Sequence, residues 1–279
     1  MDHDLQLILK YLYEERGYDF SGYRSPTLDR RVRQRLSATK SSNFSEYRRY
    51  IEKRRDELDH LLSTLTIKVS KFFRDTLTFE YIANEILPAL ISEKIQKDDR
   101  SLRIWSAGCA TGEEAYSMAI LIHGLQKKDA PPLNLHIFAT DIDQAALSKA
   151  QEAAYPLRSL EDTKHGLVEK YFTREGDLFT LLPEIRQAVS FSQYDLLDTR
   201  SYMPPESVYG NFDIVFCRNV MIYFCIDYQN IIFDKLYRSL TESGYLVLGK
   251  AESPTIKYQK YFSRIDSYGH ICQKREVNR

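Results

Sequence analysis

Ser106-Ala107-Gly108-Cys109-Ala110-Thr111-Gly112-Glu113-Glu114 joins small residues, which let a backbone approach a ligand closely, to two carboxylates that open a helix. The same pattern also serves as an ordinary strand-to-helix turn, so other residues must decide. Asp141 ends one apolar run, where a carboxylate can accept both hydroxyls of a ribose, and Asp195 ends another, where an adenine edge could be read. The glycine spacing is not G-x-G-x-x-G, and Glu113 and Glu114 would repel a pyrophosphate. A nucleoside with a cationic tail suits these carboxylates better than a dinucleotide; S-adenosylmethionine, with its sulfonium and ammonium, is of that kind. Arg218, Asn219 and Tyr223 follow a further buried run, FDIVFC, and Ser70-Lys71-Phe72-Phe73-Arg74 lies upstream. Taken singly, each also reads as a capping, ion-pairing or core residue.

These residues need a scaffold, and the texture of the chain supplies one. The first hundred residues have no glycine after Gly22 and space their apolar residues as helices do, as at Leu58, Leu61, Leu62 and Leu65. From Leu102 onward short apolar runs alternate with helical stretches, the signature of a parallel sheet in a doubly wound α/β domain of six or seven strands. Ligands bind beyond the carboxyl ends of such strands, where strand order reverses. Residues 156–188 break the alternation and read as a small inserted hairpin or three-stranded flap. The expected division is a helical N-terminal domain over 1–75, a linker helix over 76–100 and an α/β domain over 101–279.

Composition excludes several classes. With 279 residues, 43% of them hydrophobic, and only 11 Gly and 9 Pro, the chain is a folded one rather than a disordered or fibrous one. Lys+Arg and Asp+Glu are both 39, so no overall charge draws it to nucleic acid or anionic lipid. Cys109, Cys217, Cys225 and Cys272 have neither zinc-site nor disulfide spacing, so no metal is expected and reduced thiols in the cytoplasm fit best. MDHDLQ lacks the basic start of a secretion signal, and Val220 to Ile226, the longest apolar run, is too short to span a membrane.

RIWSAGCATGEEAYSMAI, ATDID, FCRNVMIYF and FFRD, at these separations, resemble the chemotaxis receptor glutamate methyltransferases, the CheR family. The resemblance covers nearly the whole chain. It implies a class I methyltransferase fold with an all-helical N-terminal domain and a small inserted β-subdomain. It also implies S-adenosylmethionine as donor, S-adenosylhomocysteine as product, and receptor glutamates as acceptors. Carried over motif by motif, ligand contacts fall on Ser70, Arg74, Glu114, Asp141, Asp195, Leu196, Cys217 and Arg218, and Tyr223 with Arg74 lies nearest the reacting methyl. Two positions depart from the family: Lys68 stands where Asn is frequent, and Ser70 where Thr is common.

Between Arg24 and Arg55 eleven basic residues face three acidic ones. Such a run is a solvated helical face, or a docking face for the glutamate-rich helices of a receptor's cytoplasmic region. The short turn at Arg174-Glu175-Gly176-Asp177 argues against a receptor peptide tether on the β-subdomain. Two rivals have tests of their own. A non-catalytic nucleoside-sensing module would transfer no methyl group. A nucleic-acid or small-molecule methyltransferase acting on amino groups would want an NPPY-type segment where CRNV stands, and would give base-stable products.

Overall fold

The computed structural model describes residues 2–66, 70–125, 133–266 and 270–275. It divides into two compact units, residues 1–67 with 222–229, and residues 68–221 with 230–279. The first unit holds α1 (His3–Arg16), α2 (Ser25–Thr39), α3 (Phe44–Lys53) and α4 (Asp56–Leu65). Helix starts follow local side-chain chemistry. Pro26 lies in the first turn of α2, where its missing N–H costs nothing. Asn43 accepts the Glu46 N–H at 2.8 Å, while the Glu46 carboxylate reaches back to the N–H of Ser42 at 2.7 Å. Residues 222–229 join this unit through the strand bridge Tyr23–Phe224, the Arg24 N–H on the Tyr223 carbonyl at 2.8 Å and the Cys225 N–H on the Gly22 carbonyl at 2.9 Å. Gly22 is glycine because a Cβ there would lie 2.4 Å from Tyr228 Cδ1.

In the second unit β1 (Ser101–Ala107), β2 (Asn134–Asp141), β6 (Val189–Gln193), β7 (Phe212–Cys217), β8 (Leu240–Leu248), β9 (Phe262–Arg264) and β10 (Ile271–Lys274) form one sheet. Its order is β6-β2-β1-β7-β8-β10-β9, parallel from β6 to β8 and antiparallel where β10 pairs with β8 and β9. Strand order reverses at β1, so the loops after β1 and β7 part there. β1 and β7 are almost wholly buried, which explains why they read as near-continuous apolar runs.

The stretch expected as a linker is α5 (Thr76–Tyr81), a π turn over Ile82–Ile86 and α6 (Leu87–Gln96); its Phe79, Ile82, Ile86, Leu87 and Leu90 belong to the sheet's core cluster. Pro88 cannot donate to the Asn84 carbonyl, and the wide turn, with the Leu87 N–H on the Ile82 carbonyl, absorbs the mismatch. α7 (Glu113–Leu125) follows β1 and α8 (Gln144–Glu152) follows β2. The insertion is a three-stranded antiparallel sheet, order β3-β5-β4, built from β3 (Ala154–Pro156), β4 (Phe172–Glu175) and β5 (Leu178–Leu181). It also carries two short helices, α9 (His165–Tyr171) and α10 (Pro183–Arg186), which the alternation of apolar runs does not reveal. α11 (Ile226–Ser239) leads into β8.

Besides its apolar residues, the first unit buries one polar cluster. Glu57, 5% exposed, accepts two N–H groups of Arg35, each at 2.8 Å, and the Tyr47 hydroxyl at 2.8 Å. Removing the charge leaves Arg35 without its bidentate partner, and hydrogen bonds to charged groups contribute about 1.5–3 kcal/mol each. Glu57→Gln is expected to lower the unfolding free energy by about 2 kcal/mol and Tyr47→Phe by about 1 kcal/mol, measured by chemical denaturation. Equal stability of Glu57→Gln and the parent chain would refute this.

Candidate active site

The loop after β1 is laid over the end of β2. The N–H groups of Gly108 and Cys109 both donate to the Thr140 carbonyl, at 2.8 and 2.9 Å, and Trp105 Nε1 donates to Thr140 Oγ1 at 2.9 Å. One residue further, Asp141 takes the Ala110 N–H at 2.8 Å on one oxygen and the Asp143 N–H at 3.0 Å on the other. Asp143 in turn caps α8. Gly108 and Gly112 have φ of +79° and +89°. A Cβ on Gly108 would lie 2.5 Å from Val220 Cγ2, and one on Gly112 would lie 2.9 Å from the Ala150 Cβ. Both glycines are therefore required by the protein's own packing, a narrower reason than ligand approach.

Glu114 is held by the Ser106 hydroxyl at 2.7 Å and by Arg218 at 3.2 Å. Arg218, 7% exposed, also donates to Asp75 at 2.6 Å and to the Arg74 carbonyl at 3.0 Å. Lys250 reaches the other Asp75 oxygen at 2.7 Å. The strand order thus brings Arg74, Glu114, Cys217 and Arg218 to one rim. Arg218 is an ion-pairing residue there, with its Nε buried and unpartnered. Cys217 is wholly buried, and burial pushes its thiol well up, so only its main chain can meet a ligand. The Ser70 hydroxyl turns to Glu113, which the Thr111 hydroxyl also holds at 2.7 Å. Asp195 and Leu196 lie in the turn after β6, where Asp195 Oδ1 accepts the Leu197 N–H at 2.8 Å. Tyr223 belongs to the first unit and Arg74 to the second. Lys68 lies outside the described residues.

Three rim residues have no role in the sequence reading. Asp75 ends the FFRD motif, and Lys250 and Glu252 follow the apolar run of β8. Glu252, 8% exposed, takes the N–H groups of Gly249 and Asn219 at 2.7 Å and of Met221 at 2.8 Å. It fixes the loops after β7 and β8 together. A charged residue shortly after a buried strand is the available signal; two of its three partners, Asn219 and Met221, lie more than thirty positions away and leave none.

Charge at the rim is unbalanced. Burial raises the carboxyls of Glu113, Glu114 and Asp141 above the ordinary carboxylate range, even though Arg218 and several hydrogen bonds pull the other way. Asp75 is the exception. Burial would raise it, but Lys250, Arg218 and Arg74 outweigh that and bring it down. Among the described residues Asp141 is held by backbone N–H groups and Glu113 by hydroxyls rather than by cations, so the donor set fits a positively charged nucleoside. Among the described residues no His/Cys/Asp/Glu cluster could hold a metal, and no helix is long and apolar enough to cross a membrane.

Residues 68–270 match the family described as CheR methyltransferase, SAM binding domain, and residues 3–66 match CheR methyltransferase, all-alpha domain. The chain is 30% identical over 252 residues to a chemotaxis protein methyltransferase of Listeria innocua, covering 90% of each. It is 29% identical over 279 residues to chemotaxis protein methyltransferase 2 of Vibrio cholerae, covering 99% of this chain and 91% of that one. It is also 31% identical over 255 residues to an uncharacterized 104.1 kDa protein of Rhodobacter capsulatus, of which it spans only 26%.

The cofactor is S-adenosylmethionine. Asp141→Asn keeps one acceptor but sets an amide N–H against a backbone N–H, and it is expected to weaken donor binding about tenfold by calorimetry. A second expectation follows from the raised carboxyls. They take up protons at higher pH than free carboxyls do, so negative charge leaves the rim as pH falls towards, and before it reaches, the ordinary carboxylate range of about 4. S-adenosylmethionine carries a sulfonium that S-adenosylhomocysteine lacks, so its affinity relative to the product should fall over that interval. A ratio independent of pH would show that these carboxylates do not face the sulfonium or the charge near it.

Proposed function

The chain belongs to the CheR methyltransferase family, and we propose that it forms methyl esters on glutamate side chains of the cytoplasmic helical regions of chemotaxis receptors. When bound, S-adenosylmethionine supplies an electrophilic methyl group for a carboxylate oxygen. The observation that carries this reading is the surplus of buried carboxylate at the carboxyl ends of β1 and β2, which a sulfonium would neutralise and a dinucleotide would not. A glutamate is already ionised at neutral pH, with a free pKa of about 4.3, so no general base is required. The chain's task is placement, which can supply about 7–11 kcal/mol of a barrier through effective concentration.

In this reading Glu114, Asp141, Asp195, Leu196 and the main chain of Cys217 hold the donor, with Ser70 and Arg218 keeping the carboxylates of α7 in place. Arg74 steers the incoming carboxylate, which could not otherwise be desolvated cheaply. The role of Tyr223, beside the reacting methyl, is carried by the resemblance alone. Receptor docking draws on the basic residues of the first unit. Arg33, Arg35, Arg48, Arg54 and Arg55 are paired with carboxylates of that unit, at 2.7, 2.8, 3.8, 3.4 and 3.5 Å. Arg30, Lys40 and Lys53 are exposed and supply the charge for an acidic partner.

Labelled methyl transfer from S-adenosylmethionine to receptor cytoplasmic fragments tests the proposal. The label should leave as methanol in mild alkali. An unlabelled receptor, or a label stable to alkali, would overturn it. Arg74→Ala is expected to lower transfer by about a hundredfold, and Tyr223→Phe by about tenfold with donor affinity less affected. Wild-type transfer by Tyr223→Phe would remove that hydroxyl from the mechanism.

A further inference from the structure

α11 buries an ammonium group that the catalytic reading does not use. Lys235 is 2% exposed. Its Nζ lies 2.7 Å from the Tyr194 hydroxyl, 3.4 Å from the Asp195 carbonyl and 2.5 Å from the Asp198 carbonyl, so its three protons meet three acceptors. All three belong to one turn, the segment that follows β6. Within that turn the Asp198 N–H donates to the Asp195 carbonyl at 3.0 Å, and Asp195 Oδ1 accepts the Leu197 N–H at 2.8 Å. The Tyr194 hydroxyl passes its own proton to the Ser201 carbonyl at 2.7 Å, and its ring packs edge-on against Trp105 of β1. The turn is therefore tied to β1 on one side and to α11 on the other, with Lys235 as the tie to α11.

A charge at this place is costly. Burial pulls the Lys235 ammonium down to about 8, and Asp198 and Asp195 only partly offset that. Its neighbours on the buried side of α11, Ile232, Phe233 and Leu236, are apolar, so an apolar residue would fill the space without the cost. The lysine gains what a leucine could not, the joining of two main-chain carbonyls and a phenol at one point.

We propose that Lys235 is a positioning residue for donor recognition: it sets the backbone of the Asp195–Asp198 turn in the shape that reads the adenine of the nucleoside. The proposal rests on the reading that Asp195 and Leu196 face the adenosyl group, and it names the residue outside the site that fixes their geometry.

Calorimetry on the full chain with S-adenosylhomocysteine and with 5′-methylthioadenosine, which keeps the adenosyl end and lacks the amino-acid tail, tests it. Lys235→Met is expected to weaken both ligands by the same factor, about tenfold, and to raise the donor KM while kcat at saturating donor stays within about twofold. Lys235→Arg, which keeps a charged donor, should recover part of the loss. Lys94→Met breaks the 2.9 Å pair with Asp213 at the opposite end of the sheet, so it should lower Tm and leave both affinities unchanged. Parent-like affinities in Lys235→Met, or an equal loss in Lys94→Met, would overturn the proposal. If Lys235→Met does not fold, Tyr194→Phe removes one of the three acceptors and should weaken both ligands about threefold; no change there would overturn it as well. A parent chain that binds neither ligand would instead defeat the donor-site reading beneath it.

Discussion

Arg218 is the group on which the rim depends. It stands after β7, yet it holds a carboxylate from α7, a carboxylate and a carbonyl from the segment before α5, and it lies over the Phe79 ring with 5.6 Å to the centroid. That segment needs holding, because Phe73 and Asp75 both have positive φ, at 53° and 63°. Each such residue costs about 1–3 kcal/mol. A charge-assisted hydrogen bond returns about 1.5–3 kcal/mol, and the Phe73 N–H adds a 2.9 Å bond to the Ser117 hydroxyl on α7. The two effects are of similar size, so the segment keeps its strained path only while these contacts persist.

The balance of charge explains why the rim is not simply a stable ion-pair network. Asp75 has two cations and its carboxyl is pulled below the usual range; Glu114 shares one of them and stays above it. Among the described residues Asp141 is held by backbone N–H groups. A carboxylate in such surroundings is poorly compensated and destabilises the fold at neutral pH. In the proposed site a cationic ligand would relieve that cost on binding, and part of its affinity would come from charge already confined in the protein rather than from new contacts.

How far the sequence discloses this depends on the distance between partners. β1, β2, β7 and α7 are legible because burial of a whole element imprints the local run of residues, and the Asn43 cap is legible because its partner, Glu46, is three positions away. The same local signals allow six or seven strands in the sheet and a hairpin or three-stranded insertion, and the structure has seven and three. α9 is only seven residues long with one buried side chain, so it leaves no periodic trace. The ties across the rim are illegible for another reason. Arg218 meets Asp75 across 143 positions, and Glu252 meets Asn219 across 33. No spacing rule links such pairs, and motif resemblance located Arg218 without revealing what it holds. The glycines show the converse: Gly108 and Gly112 were legible as required, but the reason lay in Val220 and Ala150, which only the fold brings near.

The anchoring of Arg74 bears on a tension in the proposed chemistry. An arginine that binds both oxygens of a carboxylate stabilises the ground state and lowers the nucleophilicity the reaction needs. One that binds too weakly leaves the anion in water. In the proposed role the two demands are separable, because Arg218 holds the Arg74 main chain through its carbonyl and Arg74 itself is half-buried. Position is then set by the backbone, and the grip of the guanidinium can stay modest. A single N–H on one carboxylate oxygen would orient the group and leave the other oxygen its lone pairs, which is all that displacement at a methyl group asks of the protein.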